Sequence, residues 1–208
     1  GGFDAADPFA RRGTQLPGRL FAGLRLGVPA PEQRFFDGDR AAQRLYEAAI
    51  ARAAALGAHI ATFDLAPFLA TAELLYSGPW GAERAAAVGA FIAEQPEAVW
   101  PTTRTVIAGA DRFSAVDAFR GQYRLAELAR AVAPVWERHD ALLLPTAPTI
   151  YRIAELAAEP IARNSRLGTY TNFVNLLDLC GIAVPAGFRE DGLPLGVTLL
   201  APAWSDAM

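Results

Sequence analysis

The amino-terminal part of the chain alternates short apolar runs with one long helical pattern. Residues 21–30 predict a loop that leads into a short apolar strand ending at Pro29. From Asp39 to Gly57, apolar side chains recur with helical periodicity, which predicts a helix with Asp39 as its N-cap and Gly57 at its end. Residues 59–68 then alternate as a strand does. A strand, a helix and a strand within about 45 residues indicate a βαβ unit, and hence a parallel or mixed sheet covered by helices.

The middle of the chain carries two further helical patterns and a buried strand. Residues 82–95 predict the first helix. Residues 114–140 predict a second, long helix in which Ser114 is the N-cap and Asp117 completes a capping box. The apolar run that follows predicts a buried strand ending at Pro145.

The last part of the chain predicts one more helix and two strands. Residues 167–181 resemble a helix that enters a short strand at residues 182–188. The Asp-Gly pair at 191–192 is a hairpin signal, and it precedes a strand at residues 193–201. No repeat or linker divides the chain, so we expect a single α/β domain over residues 1–208, with a mixed β-sheet flanked by helices.

Composition and charge exclude several classes of protein. Hydrophobic residues make up 52% of the 208 and charged residues 20%, which is typical of a chain that forms a core. A net charge of -3 and a pI near 5.4 argue against a nucleic-acid binder. No apolar run is long enough to span a membrane, and no secretory leader opens the chain. The lone Cys180 is expected to be a small buried hydrophobe in a reducing cytoplasm, so we expect a cytoplasmic protein.

Searches for metal, nucleotide and serine-hydrolase motifs give no candidate, so we expect neither a metal nor an organic cofactor. His59 and His139 lie in different predicted elements, and His139 at a helix end is expected to cap the helix or contact solvent. Asp37 and Asp39 resemble two ligands of a calcium loop whose other ligands are missing, which favours a solvated turn. The chain has no G-x-S-x-G turn, P-loop or G-x-G-x-x-G.

The stretch from Tyr76 to Arg84, "YSGPWGAER", is a first candidate site. Gly78 and the following proline stop one element, and a helix begins just after them. A cation in the first turns of a helix opposes the helix dipole, so helix stability does not explain Arg84. A bound carboxylate would explain it, since a guanidinium fork holds such an anion well. The alternative is an ordinary ion pair with Glu83, Glu73 or another exposed acid.

Residues 163–175, "RNSRLGTYTNFVN", form a second, weaker candidate. Its hydroxyls and amides either line a site or make ordinary caps and turn bonds. The site-lining candidates in this segment are Thr169, Tyr170, Asn172 and Asn175, and Gly78 is added to them from the first segment.

At these residues the chain resembles the allophanate hydrolases of the amidase signature family. The resemblance covers essentially the whole chain and rests on "LLYSGPWGAER", "ALLLPTAP", "LGTYTNFVNLLDLCGIAVPAGF" and "GLPLGVTLLAPAWSD". It implies an α/β/α sandwich and a Ser–cis-Ser–Lys amidase that hydrolyses allophanate, a urea carrying a carboxylate, to ammonia and carbon dioxide in urea degradation. It also implies that Arg84 clamps the substrate carboxylate while the Tyr76 phenol adds a hydrogen bond.

The chain departs from this family in its catalytic residues. It has no lysine, and none of its four serines lies in a Gly-Ser-Ser-Gly loop. We therefore expect a later, partial domain that supplies substrate-binding residues, with its partner, the catalytic half, upstream of Gly1 and little activity in this chain alone. The first residue is not methionine, which also predicts a longer gene. A half-domain would leave a sheet edge or helix face uncovered and so favour self-association into a homo-oligomer.

Two alternatives remain at this level. The chain could belong to a general amidase or an amidotransferase A-type subunit, although these have no reason to carry "YSGPWGAER". It could also be a non-catalytic fragment that binds a small carboxylate.

Overall fold

The computed structural model of the chain describes residues 3–14 and 17–207. The expectation attached to Gly1 therefore lies outside the described residues. The strands are β1 (Arg25–Pro29), β2 (His59–Phe63), β3 (Ala141–Pro145), β4 (Leu179–Phe188) and β5 (Pro194–Pro202). The α-helices are α1 (Arg40–Ala55), α2 (Ala66–Ser77), α3 (Trp80–Glu94), α4 (Pro101–Ala108), α5 (Ala115–Arg138), α6 (Ile153–Ala158) and α7 (Pro160–Leu167).

The five strands form one mixed sheet in the order β2-β1-β3-β5-β4. Strand β1 pairs in parallel with β2 on one side and with β3 on the other, so that Leu26 lies opposite both Ile60 and Ala141. Strand β5 runs antiparallel to both β3 and β4. The predicted βαβ unit and the mixed sheet are confirmed, but the second strand is shorter than predicted, since residues 66–68 already belong to α2.

Helix α1 begins after Asp39 and ends before Gly57, as its capping residues predicted. The Asp39 side chain accepts a hydrogen bond of 2.9 Å from the Ala42 backbone N–H, which satisfies one of the free donors of the first turn. Just past the helix, Gly57 has a φ of +92°, a left-handed conformation that favours glycine. The long helix α5 likewise begins with the predicted capping box between Ser114 and Asp117.

The sheet is sandwiched between helices on its two faces. Helix α1 covers one face through buried residues such as Tyr46 and Ala49, which pack with Val28 and Leu143 of the sheet. Helices α2 and α5 cover the other face through Phe68 and Val132, among other residues, on a core that includes Leu142 and Leu144. Alternate residues of β3 thus enter opposite cores, as the pleat of a strand requires. The architecture is an α/β/α sandwich.

The helix predicted at residues 167–181 is wrong. Helix α7 ends at Leu167, residues 168–178 form consecutive turns, and β4 begins at Leu179, earlier than expected. Within these turns, the backbone N–H groups of Thr171, Leu177 and Leu179 donate to carbonyls three, four and five residues back, so the regular i→i−4 ladder of a helix is not formed. The phenol of Tyr170 is tied to a distant loop, and this tertiary contact overrides the apolar periodicity of the segment.

Two other sequence expectations are also corrected. His139 is buried and its Nδ1 lies 2.8 Å from the Val135 carbonyl, so the helix cap is confirmed but solvent contact is not. The solvated turn is confirmed for Asp37 and Gly38, which are exposed, but not for Asp39, whose carboxylate accepts from Thr149 at 2.8 Å and pairs with Arg189.

Cys180 is half-buried rather than buried. It lies on β4, which forms an edge of the sheet among the described strands. The apolar side chains Ile182 and Val184 of this strand are exposed, at 61% and 37%. The expected uncovered sheet edge is therefore present. No helix in the described part of the chain is long and apolar enough to cross a membrane.

Candidate active site

The first candidate segment folds into a tight connection between helices α2 and α3. Tyr76 lies in the last turn of α2, and Arg84 lies in the second turn of α3. The helical conformation is interrupted between them at Gly78 and Pro79. A Cβ atom at Gly78 would be 2.6 Å from the carbonyl oxygen of Leu74, so a side chain there would crowd the end of α2. Glycine followed by proline therefore permits the sharp change of direction.

Tyr76 and Arg84 face each other across this connection. The guanidinium carbon of Arg84 lies 5.5 Å from the centroid of the Tyr76 ring, which is cation–π geometry. Arg84 is half-buried, whereas Tyr76 is 38% exposed. Within residues 3–14 and 17–207, no carboxylate oxygen lies within the 4.0 Å that defines an ion pair with Arg84, so Glu83 and Glu73 do not neutralise it.

The electrostatics of this pair suit a small planar anion. The guanidinium of an arginine is a planar cation whose donors form a fork that matches the two oxygens of a carboxylate. The positive end of the α3 dipole adds to the same field. A phenol beside the fork supplies one more donor, and the ring limits how the guanidinium turns. The arrangement can bind and orient a carboxylate, but it contains no nucleophile and no base.

Two residues that contact this connection were not predicted from the sequence. Arg112 donates from Nη2 to the Tyr76 carbonyl oxygen over 3.3 Å. Gly121 of α5 lies against Pro79, since a Cβ atom placed on it would be 2.4 Å from Pro79 Cγ. The signal for Gly121 was a glycine inside a strong helical pattern, which usually has a packing reason. Arg112 carried no comparable signal.

The hydroxyl candidates of the second segment make local and structural bonds. Thr169 Oγ1 donates to the Arg166 carbonyl oxygen over 2.6 Å. The Tyr170 hydroxyl donates to the Phe35 carbonyl oxygen over 2.9 Å and accepts from the Phe35 N–H over 2.7 Å. Burial of this phenol raises its pKa to about 12, so it remains neutral. Tyr170 anchors the turns of residues 168–178 to the loop before α1.

The two asparagines lie in the same turns. The Asn172 side chain packs against Gly168, since a Cβ atom placed on Gly168 would be 2.2 Å from Asn172 Oδ1. Asn175 is exposed. The segment packs on α2 through Phe173, whose ring centroid is 5.1 Å from that of Phe68. No hydrogen bond between described residues joins this segment to Tyr76 or Arg84. The site-lining role of these residues therefore stays a prediction.

The described residues hold no group of three or more His, Cys, Asp or Glu side chains that could bind a metal ion. His59 begins β2, whereas His139 follows α5.

The chain matches the model of the Amidase family over residues 15–208 and belongs to that family. It is 41% identical over 181 residues to a urea amidolyase of Lachancea kluyveri, covering 86% of this chain and 10% of the relative. It is 37% identical to a urea amidolyase of Saccharomyces cerevisiae, covering 96% of this chain and 11% of the relative. The chain thus spans about a tenth of the length of these curated relatives.

Solved structures show the same relationship. An allophanate hydrolase of Kluyveromyces lactis superposes with a TM-score of 0.93 at 36% identity, covering 99% of this chain and 34% of that one. A urea amidolyase of the same yeast gives a TM-score of 0.91 at 36% identity, covering 97% and 12%. The A-type subunit of a glutamyl-tRNA(Gln) amidotransferase from Thermotoga maritima, at 19% identity and a TM-score of 0.71, shares the fold alone. The predicted family and the partial amidase signature fold are confirmed.

Proposed function

We propose that this chain is the substrate-recognition part of an amidohydrolase that converts allophanate to ammonia and carbon dioxide in urea degradation. The observation that carries the proposal is Arg84, a half-buried cation that lies against Tyr76 without a carboxylate partner among the described residues. The similarity to urea amidolyases and to an allophanate hydrolase over most of the chain supports the same substrate.

The substrate explains why this site needs both side chains. Allophanate is small and planar, and its carboxylate distinguishes it from ordinary amides. Arg84 would hold both carboxylate oxygens, and the Tyr76 hydroxyl would donate to one of them. A hydrogen bond to a charged group contributes about 1.5–3 kcal/mol. This is enough to separate a charged substrate from an uncharged one of the same shape.

The proposal assigns binding, and not bond cleavage, to this chain. The chain has no lysine, so a Ser–cis-Ser–Lys triad would have to come from a preceding segment of the same domain. That segment would attack the amide carbon while Arg84 and Tyr76 hold the other end of the substrate. The fixed carboxylate would orient the reacting amide and lower the entropic cost of the attack.

A general amidase or an amidotransferase A-type subunit is the competing assignment. An amidotransferase A-type subunit from Acidobacterium capsulatum is 29% identical over 89% of this chain. The urea amidolyases reach 37% and 41% over 96% and 86% of it. The guanidinium beside Tyr76, which no carboxylate neutralises within residues 3–14 and 17–207, favours a substrate that carries its own negative charge.

Ammonia release by the complete protein tests the proposal. The two substrates are allophanate and biuret, in which an amide replaces the carboxylate. We expect a strong preference for allophanate, and we expect Arg84→Lys to lower kcat/KM for allophanate by about 10- to 100-fold, because lysine keeps the charge but loses the fork. Turnover of biuret should not change.

Arg130→Lys is the matched control, since Arg130 is an exposed arginine on α5. It should leave both substrates unaffected. Equal or faster turnover of biuret by the unmodified enzyme would identify a general amidase. No ammonia from either substrate would favour a protein that binds carboxylates without catalysis.

A further inference from the structure

We infer that Gly121 and Arg112 are positioning residues that set the distance between Tyr76 and Arg84 and thereby the specificity for a carboxylate substrate. The inference rests on the proposed function. Tyr76 and Arg84 belong to different helices, α2 and α3, which are joined by only two residues, Gly78 and Pro79. Their relative position therefore depends on what holds this connection in place.

Gly121 lies in contact with the connection between α2 and α3. It is buried in the interior of α5, and a Cβ atom there would be 2.4 Å from Pro79 Cγ and 2.8 Å from Pro79 Cδ. It would also be 3.3 Å from the Trp80 ring. Carbon atoms in contact lie about 3.5–4.0 Å apart, so an alanine would displace the connection by about 1 Å.

The displacement would move the connection and not α5. Helix α5 is anchored on the sheet by the buried Val132 and Val135, which pack with Leu142 and Leu144. Pro79 is only half-buried, and its ring cannot rotate out of the way as a flexible side chain could. Any shift of Pro79 moves the start of α3 and, with it, Arg84.

Arg112 holds the other side of the connection. Its Nη2 donates to the carbonyl oxygen of Tyr76, at the end of α2, over 3.3 Å. Arg112 belongs to the short 3-10 helix of residues 109–112, which also contacts the start of α3. There, a Cβ atom on Gly81 would be 3.8 Å from Ala110 Cα. The same short helix thus contacts both helices that carry the pair.

These contacts determine specificity because a fork and a phenol bind one carboxylate only at a fixed spacing. A misplacement of about 1 Å can lower a rate by about a hundredfold when it affects an oriented substrate. A substrate without a carboxylate does not depend on this spacing. Loss of Gly121 or Arg112 should therefore weaken recognition of the carboxylate and leave the reaction of an uncharged amide intact.

Kinetics of the complete protein on allophanate and biuret test the inference. We expect Gly121→Ala and Arg112→Ala each to raise KM and to lower kcat/KM for allophanate by about tenfold or more. For biuret, kcat/KM should stay within about twofold. Arg112→Lys should recover most of the activity, because one donor is enough for one carbonyl. In the Arg84→Lys background, Gly121→Ala should cause little further loss, since both changes act on the same contact.

Gly89→Ala on α3 is the matched control, because a Cβ atom there meets nothing within 4 Å. It should leave both substrates unchanged. Equal losses on allophanate and biuret, or losses that add fully to that of Arg84→Lys, would show a general folding role and overturn the inference. If Gly121→Ala does not fold, Arg112→Ala still tests the inference, because Arg112 is exposed and its replacement disturbs no buried position.

The same data separate the inference from the proposed function. An unmodified enzyme that does not prefer allophanate would contradict the proposed function itself. A clear preference that survives in both Gly121→Ala and Arg112→Ala would contradict the inference alone.

Discussion

The guanidinium of Arg84 lies 5.5 Å from the ring centre of Tyr76, although the two side chains belong to different helices that are separated at Gly78. The aromatic face attracts the cation without neutralising it, since a ring carries no net charge. The contact with the ring therefore leaves the donors of the Arg84 guanidinium available to an anion. This differs from an ion pair with a carboxylate, which would occupy the same donors.

The ring and the hydroxyl of Tyr76 have separable roles. We predict that Tyr76→Phe keeps the contact with Arg84 and loses only one hydrogen bond, so kcat/KM for allophanate falls about 3- to 10-fold. Tyr76→Leu removes the ring as well and should cause a larger loss. Steady-state kinetics of the complete protein measure both. Identical values for the two variants would mean that the ring does not orient Arg84.

The phenol of Tyr46 stabilises the sheet from α1. This buried hydroxyl donates to the Leu143 carbonyl oxygen over 2.7 Å, and burial raises its pKa, so the group stays neutral. We predict that Tyr46→Phe lowers the free energy of unfolding by about 1 kcal/mol, because a buried acceptor loses its donor. Thermal or urea unfolding measures the change. Tyr123→Phe at an exposed site is the control and should have no effect; an equal loss there would contradict the prediction.

Asp140 makes stability depend on acid pH. Its carboxylate accepts from the Arg25 guanidinium at 2.9 Å and from the Arg25 backbone N–H at 2.8 Å, and Arg19 lies 2.8 Å away. The Arg25 hydrogen bond holds the pKa of Asp140 well below its ordinary value of 3.8, and burial opposes this only in part. A carboxyl with a lowered pKa stabilises the fold above pH 3.8, and this contribution is lost as the pH falls below that value.

We predict that Asp140→Asn lowers the free energy of unfolding at pH 7 by about 1–2 kcal/mol. At pH 3 the difference between the variant and the unmodified protein should be smaller, since the carboxyl of the unmodified protein begins to lose its advantage over the unfolded chain. Unfolding curves at several pH values between 2 and 7 measure this difference, with Asp206→Asn at an exposed site as the comparison. A difference that grows toward low pH would contradict the sign of this prediction.

The edge strand β4 predicts self-association of this chain when it is produced alone. Its free edge and the exposed Ile182 offer both hydrogen-bonding groups and apolar surface to another strand. We predict that Ile182→Lys reduces association measured by sedimentation velocity over a range of concentrations. Val116→Lys removes a similarly exposed apolar residue from helix α5 and should have a smaller effect. Equal effects would point to general surface hydrophobicity.

Elements with local signals were predictable from the sequence. The cap at Asp39, the left-handed Gly57 and the capping box at Ser114 each act within a few residues, and all three are present. The turns of residues 168–178 were not predictable, because the contact that holds them joins Tyr170 to Phe35, 135 residues away. The apolar spacing there serves packing on α2 and not a helix.

The candidate site divides in the same way. Tyr76 and Arg84 could be placed on either side of a helix break because Gly78 and Pro79 mark it locally. Their stacking and the contact of Pro79 with Gly121 depend on how α5 packs, which no local pattern encodes. The proposed substrate, allophanate, was inferred from the family resemblance and not from the spacing of residues or the composition.

Both β2 and β3 pair with β1, so the chain leaves the sheet after β2 and returns on the other side of the same strand. Helices α2 to α5 lie in this single excursion, and they carry the pair Tyr76 and Arg84. Within it, α2 and α5 cover the sheet, whereas α3 and α4 contribute no fully buried residue. Changes in α3 or α4 can therefore alter the surroundings of Arg84 while the face of the sheet stays covered and β2, β1 and β3 keep their partners.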